Sequence, residues 1–435
     1  MQFSAFNIIS EVKGKDVFYI VNLLSGGADL LSRNELKMLH AGGGSLRGTF
    51  AEKGYLSDPE REKQEFQLRY IDFLESMETE EVQVFFAPTY QCNFNCSYCY
   101  QAEYPAEEKK WGADTIAAFF RFLETELGHR KKYVTLFGGE PFLGGSAHLE
   151  SMALFIEETN RRGLDLAAVT NGYHLDEYLE VLSRANVREI QITLDGTEGL
   201  HNQRRPHKSG KPTFNRIVNN IDACLALNIP VNLRMVVDKE NLKDLPELAR
   251  FAIEKGWTTQ PHFKTQLGRN YELHQCQSGR SRLYSRLEMH QALYELLKAH
   301  PELMEFHKPA FSVSRFLAEN GRLPDPLFDA CPACKSEWAL DFTGKVYSCT
   351  ATVGKPGEAL GTFYPDIDLN REAIAQWQKR NLTTIPECLS CNLQLACGGG
   401  CGSVAKNRNH NNLFSPDCRP VKELLEMGMD LYISE

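Results

Sequence analysis

Three cysteines in the spacing Cys-x3-Cys-x2-Cys constrain this chain more than any other feature. They sit in Cys92-Asn93-Phe94-Asn95-Cys96-Ser97-Tyr98-Cys99, directly after the apolar run 82–88. A closed structural zinc site or a fully ligated cubane takes four thiolates. Three thiolates leave one metal corner free, and a free corner on an iron–sulfur cluster is a place to bind and reduce a ligand. The loop alone also admits a zinc knuckle or three unrelated core thiols.

The other cysteines extend the argument. Of 13 in the chain, eight lie between Cys331 and Cys418, and only Cys224 and Cys276 fall outside the two groups. Met1-Gln2-Phe3-Ser4 lacks a basic region followed by an apolar stretch, and no run is long enough to span a bilayer, so a cytoplasmic location without membrane attachment is expected. Disulfides are not expected there, and dense sets with short spacings read as metal sites. The net charge of -9 argues against nucleic acid or an anionic membrane as partner. Cys224 shares a helical face with Ile217, Ile221 and Leu225 and reads as a core thiol. Cys276, in the polar stretch 272–281, reads as a surface or half-buried thiol.

A length of 435 residues predicts two or three domains. Residues up to about 77 read as a small α+β unit: strands at 6–10 and 17–24, a capping box Ser32-Arg33-Asn34-Glu35, and a helix opened by Ser57-Asp58-Pro59-Glu60 with Phe66, Tyr70, Phe73 and Leu74 on one side. Gly42-Gly43-Gly44 lacks the Walker lysine and the dinucleotide spacing, so it is no phosphate loop. From 82 to about 300, strands at 82–87, 133–137, 166–170, 189–194, 231–237 and 261–264 alternate with helices at 114–127, 148–161, 175–184, 214–227 and 245–255. Such alternation means a parallel sheet with right-handed crossovers, either doubly wound or a partial barrel, with ligands at the C-terminal strand ends. Beyond 300 the alternation fades into a linker and a region rich in cysteine, glycine and proline. A short amphipathic helix follows at 421–433, with Val421, Leu424, Leu425, Gly428 and Leu431 in one stripe. The expected division is 1–78, 79–307, a linker at 308–330, and 331–435.

The Cys92/Cys96/Cys99 loop, with aromatic Tyr98 before its last cysteine, resembles the signature of the radical S-adenosylmethionine (SAM) enzymes. Gly138-Gly139-Glu140-Pro141 after the second strand resembles that family's motif for the SAM amino group. Ala168-Val169-Thr170-Asn171-Gly172 and Ile192-Thr193-Leu194-Asp195-Gly196 resemble its third and fourth strand ends. The segment His201-Asn202-Gln203-Arg204-Arg205-Pro206 to Lys211-Pro212-Thr213-Phe214 resembles its peptide-modifying members. The resemblance implies a partial (β/α)6 TIM-like barrel, of α/β class. It implies a SAM-binding [4Fe-4S] cluster on Cys92, Cys96 and Cys99, with SAM contacts at Tyr98, Gly138, Gly139, Glu140, Thr193 and Arg205. Arg204 and Arg234 are secondary candidates, and His201 reads as a structural loop residue.

The pattern Cys334-x9-Gly344-x4-Cys349, Cys388-x2-Cys391-x5-Cys397-x3-Cys401, then Cys418, resembles the SPASM domain that extends certain radical SAM enzymes. That likeness implies two auxiliary [4Fe-4S] clusters: one on Cys388, Cys391, Cys397 and Cys418, the other on Cys334, Cys349 and Cys401, with Cys331 as candidate fourth ligand. The implied activity is that of a radical SAM oxidoreductase maturing a ribosomally made precursor peptide by a thioether or carbon–carbon cross-link. Its electron donor would be a flavodoxin or ferredoxin. The small N-terminal unit resembles domains that bind peptide leaders, by strand addition at an exposed strand such as 17–24. Alternatives are a sulfatase-maturating enzyme, a peptide epimerase and a non-catalytic metal-binding scaffold. Thr350, where sulfatase maturases carry an aspartate after the cysteine equivalent to Cys349, counts against the first. The sequence assigns no catalytic acid or base.

Overall fold

In the computed structural model, which describes residues 1–103, 111–270 and 281–433, the six parallel strands lie side by side in chain order. They are Val82–Ala87, Lys132–Leu136, Leu166–Thr170, Val187–Thr193, Val231–Val237 and Phe263–Arg269, called the first to sixth barrel strands below. A doubly wound sheet reverses its strand order at a switch point. This one never reverses, which selects the partial barrel. Cys276 lies outside the described residues.

Period-two alternation explains which way each strand faces. Val82, Val84 and Phe86 of the first strand, Val134 and Leu136 of the second, and Ile190 and Ile192 of the fourth are buried beneath the helices. Ala113–Leu127 and Ser146–Arg161 supply the cover for the first two strands. There Phe86 stacks on Phe155 with centroids 4.8 Å apart and meets Phe119 at 5.1 Å. The opposite, concave face carries Gln83, Thr135, Gln191, Thr193 and Arg234 among apolar Phe85, Ala167 and Val169, so it is mixed in polarity and open. The sixth strand was expected at 261–264 but runs over Phe263–Arg269. Its concave positions are Lys264, Gln266 and Gly268, which carry no apolar signal, so hydrophobicity under-reads its length.

Beyond the first strand the sheet continues. Glu337–Asp341 pairs with it in parallel, Glu337 opposite Gln83 and Asp341 opposite Ala87, and three short antiparallel strands follow. The cysteine-rich region is thus joined to the barrel by main-chain hydrogen bonds. Residues 308–330, expected as a linker, contain the helix Ser314–Asn320. It crosses the C-terminal helix Val421–Ile433 at Gly428, where a Cβ would lie 2.3 Å from Ser314 Oγ.

The N-terminal sheet has the order Asn7–Glu11, Val17–Asn22, Ala28–Ser32. Val17–Asn22 is therefore the central strand, paired on both sides. That corrects the expectation that it offers a free edge; the third strand, Ala28–Ser32, escaped notice because its burial is uneven and Leu30 faces solvent. Ser32 and Glu35 form the capping box as expected. One face of the sheet shares a core with the C-terminal helix, Tyr19 and Val21 meeting Val421, Leu425 and Met429. The long helix Pro59–Thr79 packs Phe66, Tyr70 and Phe73 around Phe328, whereas Leu74, expected on that side, is exposed.

Replacing Phe86 by alanine is expected to cost about 3–5 kcal/mol, because its aromatic neighbours Trp111, Phe119 and Phe155 cannot collapse into the void. A clearly lowered unfolding midpoint in chemical denaturation checks this; an unchanged midpoint would count against the stacked core.

Candidate active site

The concave face encloses a cavity of about 750 Å3, lined at its upper rim by Cys92, Cys96, Tyr98 and Cys99 and closed on one side by Thr350 and Ala351. The cysteine loop follows the first strand and is held by the segment after the fourth. Ser97 N donates to Arg204 O at 3.0 Å, Asn95 N to Pro206 O at 2.9 Å and Lys208 N to Asn93 O at 2.8 Å, with Phe94 and His207 forming an antiparallel bridge. These main-chain bonds bring Arg205 to the loop, where its Nη1 donates to Tyr98 Oη at 2.5 Å.

The two adjacent arginines do different things. Arg204 is enclosed, donating to both carboxylate oxygens of Asp238 at 2.9 and 3.0 Å and to Glu240 at 2.9 Å, with Asp195 3.6 Å away. Arg205 instead lines the cavity, and its Nε has no hydrogen-bond partner. The choice of Arg205 as the cavity residue therefore fits the geometry, and Arg204 is committed elsewhere. His201 is fully enclosed on the helix Glu198–Arg204 rather than in a loop, accepting from Asp195 N at 3.2 Å. Arg234 faces the cavity and is not ion-paired among the described residues.

At the second strand end the glycines serve close packing. Gly139 N donates to Thr89 O at 2.9 Å and Glu140 N to Gln91 O at 2.8 Å, and a Cβ on Gly139 would lie 2.1 Å from Gln91 O. Glu140 is 1% exposed, and its carboxylate accepts from Thr170 Oγ1 at 2.5 Å, Asn171 N at 2.6 Å and Phe142 N at 2.9 Å. Burial nevertheless holds its carboxyl above the ordinary range. This carboxylate ties the second strand end to the third. Asn171 in turn donates to Asn93 Oδ1 at 2.7 Å and lies 3.8 Å from Cys92 Sγ. Thr193 ends the fourth strand, buried and in the cavity wall.

The thiols have the chemistry of ligands awaiting a cation. Burial, then the charge of Glu140, pushes Cys92 up to about 12. Burial pushes Cys96 up to about 11, against the pull of Arg205. Three donors short of a fourth fit a cluster with one open corner. The remaining cysteines fall into two neighbourhoods. Burial first, then charge at Cys397, Cys418 and Cys391, raises Cys388 to about 11. Burial, Glu337, and charge at Cys331 and Cys401 raise Cys349. Cys331 packs beside Cys401: a Cβ at Gly402 would lie 3.0 Å from Cys331 Sγ. Among the described residues no three His, Cys, Asp or Glu side chains converge on a single metal ion.

A buried arginine organises this region too. Arg380, 0% exposed, donates to the carbonyls of Gly399, Gly400, Leu413 and Ser415 at 2.9–3.1 Å. It joins the turn between Cys397 and Cys401 to the stretch before Cys418. Gly400 has a φ of +69°, and a Cβ there would lie 2.0 Å from Asp417 O, so only glycine fits.

Sequence reasoning missed Arg282 and Asp238. Arg282 donates to Ser97 O at 2.7 Å from 185 residues away and lies 3.5 Å from Glu240. No local pattern signals a contact of that range. Asp238-x-x-Asn241 is a short polar turn after a strand, the one local sign available: Asp238 N donates to Asn241 Oδ1 at 2.9 Å.

Residues 86–252 match the model of the radical SAM superfamily. The GTP 3',8-cyclase of Nautilia profundicola is 30% identical over 177 residues, covering 39% of this chain and 52% of that protein. The cysteine-type anaerobic sulfatase-maturating enzyme of Clostridium novyi is 25% identical over 166 residues, covering 37% and 44%. The chain spans about half the length of the curated relatives it matches. Among solved structures, native anSMEcpe with bound AdoMet and Cp18Cys peptide superposes with a TM-score of 0.61 at 17% identity over 82% of this chain and 99% of that one. Streptococcus suis SuiB superposes with a TM-score of 0.56 at 15% identity over 96% and 100%. At such identities these structures share the fold.

Two outcomes are expected. Arg204→Met leaves Asp195 buried without its cation and Asp238 with only Arg282 at 3.9 Å, and should cost about 3–5 kcal/mol of stability, whereas Arg205→Met should keep the fold; equal melting of both variants would contradict the division. Burial holds His201 well below its ordinary 6.5 and His307 near 4. Groups depressed in this way bind more protons when unfolded, so their contribution is full above about pH 6.5 and is lost as pH falls. Melting temperature should therefore drop between pH 6.5 and 5, and His307→Gln should make that drop shallower.

Proposed function

Starting from a chain that carries a radical SAM domain, we propose that it is a peptide maturase that abstracts hydrogen from a ribosomally made precursor and forms a thioether or carbon–carbon cross-link. The observation that carries this reading is one cavity reached from both sides: the three-cysteine loop lines its rim, and Thr350, beside Cys349, lines its flank. A [4Fe-4S] cluster and SAM held there would supply reductive radical chemistry capable of hydrogen abstraction.

The chain's own residues hold and orient. Cys92, Cys96 and Cys99 hold the first cluster; the 138–139 main chain, Thr193 and Arg205 hold SAM, with Tyr98 steering Arg205 and Glu140 fixing the turn. Cys388, Cys391, Cys397 and Cys418 hold one auxiliary cluster. Cys331, Cys334, Cys349 and Cys401 hold the other. Cross-linking removes a second electron, for which the auxiliary region stands beside the cavity. A small carrier such as flavodoxin or ferredoxin supplies the first.

A peptide substrate is supported by the neighbours that share this architecture, solved as SuiB bound to precursor peptide SuiA and as anSMEcpe with a Cp18Cys peptide. The leader docks along the free edge of Ala28–Ser32 as a fourth strand. Beside that edge a groove of about 420 Å3 is lined by Leu30, Leu317, Met429 and Ile433. Oxidation to formylglycine is disfavoured by Thr350, which faces the cavity with its N–H donating to Glu337 at 2.8 Å and carries no carboxylate.

Anaerobic reconstitution followed by dithionite and SAM should yield 5′-deoxyadenosine. The Cys92→Ala, Cys96→Ala, Cys99→Ala variant should yield none while keeping the iron of its other sites. Co-expression with a small peptide encoded beside the gene should give a product lighter by two hydrogens. Unchanged mass with deuterium uptake would mean epimerisation, and filled clusters without SAM cleavage would defeat the enzyme reading.

A further inference from the structure

The groups assigned to SAM stand at the ends of the first four strands. The fifth strand completes the wall with Arg234, whose Cα lies opposite Thr193 on one side and Gln266 on the other. Its guanidinium reaches back from the strand ends: Nη1 donates to Gln191 Oε1 at 3.0 Å, and Gln191 Nε2 donates to Gln266 Oε1 at 2.6 Å. Nε is buried without a partner, and no carboxylate among the described residues pairs with this arginine. Two other cations of the same wall are neutralised, Arg188 by Glu81 at 2.7 Å and Lys264 by Glu189. Space for the unpaired guanidinium is built in. A Cβ on Gly268 of the sixth strand would lie 2.9 Å from both Nε and Nη2 of Arg234.

A guanidinium drawn into a cavity and met only by a neutral amide lacks the anion that its planar donor fork fits best. We propose that Arg234 is a specificity-determining residue that receives the side-chain carboxylate of an aspartate or glutamate in the substrate peptide. The proposal rests on the peptide reading above and narrows it to acidic sequences. SAM's own carboxylate is the competing source. Arg205, bonded to loop residue Tyr98, stands at the cysteine rim for that purpose, whereas Arg234 leans toward Gln191 and away from it.

The test uses anaerobically reconstituted holoenzyme with SAM and two capped probes, acetyl-Ala-Glu-Ala-amide and acetyl-Ala-Gln-Ala-amide, titrated by calorimetry. The glutamyl probe should bind about tenfold tighter, a preference that Arg234→Gln should reduce to within about twofold. Gly268→Ala keeps the charge but crowds the guanidinium, and it should cut the preference by about threefold; it decides the matter if Arg234→Gln does not fold. Equal binding of the two probes to the wild type, or a preference that survives both substitutions, overturns the proposal. So does a tenfold loss of SAM affinity in Arg234→Gln, which would assign the guanidinium to SAM. Formation of 5′-deoxyadenosine by the wild type is scored separately, so a failed radical reading is distinguishable from a failed carboxylate site.

Discussion

The site depends on a cation that never touches the cavity. Arg204 bonds Asp238 and Glu240 after the fifth strand and stands 3.6 Å from Asp195 after the fourth, while its carbonyl receives Ser97 N of the cysteine loop. Charges this deep are expensive to desolvate and are tolerated only when each is answered. Here they are answered by one another, and the geometry they enforce is specific. Once Arg204 is fixed, the next residue must emerge on the other side of the chain, so Arg205 faces the rim beside Tyr98 and Cys96. Arg282 reaches Asp238, Glu240 and the Ser97 carbonyl from beyond the sixth strand. One ionic knot therefore locks the loop, two strand ends and a distant segment into a single arrangement.

The second constraint is the inversion of polarity across the sheet. Most parallel strands are apolar on both faces because both are packed. These strands are uniformly apolar toward the helices, whereas the inner face sets amides, hydroxyls and guanidiniums among a few apolar residues such as Phe85, Ala167 and Val169. A barrel so lined cannot fill its own interior, and it keeps a solvated chamber at the strand ends where the motifs gather. The same inversion explains what the sequence hid. Five strand positions were legible from apolar runs, but the sixth, with Lys264, Gln266 and Gly268 inward, was cut short. Cysteine spacing picked out the loop whose Cys92, Cys96 and Cys99 line the cavity, and the cysteine-rich region beyond it, because the pattern is local in sequence. It was silent on Arg204, Arg282 and Arg380, whose partners lie tens to hundreds of residues away and whose importance comes from burial alone. The strand thought to be a free edge proved central because the third strand of that sheet alternates weakly.

The continuity of the ten-stranded sheet has a mechanical meaning. Glu337–Asp341 is bonded to the first barrel strand, and its neighbour leads into Cys349, so that cysteine is carried on the same ladder as the strand that leads into the cysteine rim. The spacing between Cys349 and the cysteine rim is then set by main-chain hydrogen bonds rather than by a hinge.

The core shared by the first and last segments carries a kinetic cost. Ser10 donates to Glu426 across 416 positions, and Tyr19 and Val21 pack on the helix Val421–Ile433. Closing a loop that long is slow, and the entropy is paid before the contact rewards it. During synthesis the N-terminal sheet must hold an apolar face open until some four hundred further residues exist. That interval exposes an aggregation-prone surface. It also leaves the stretch around Cys388 and Leu395, which shares that core, unclamped until the helix Val421–Ile433 has been made.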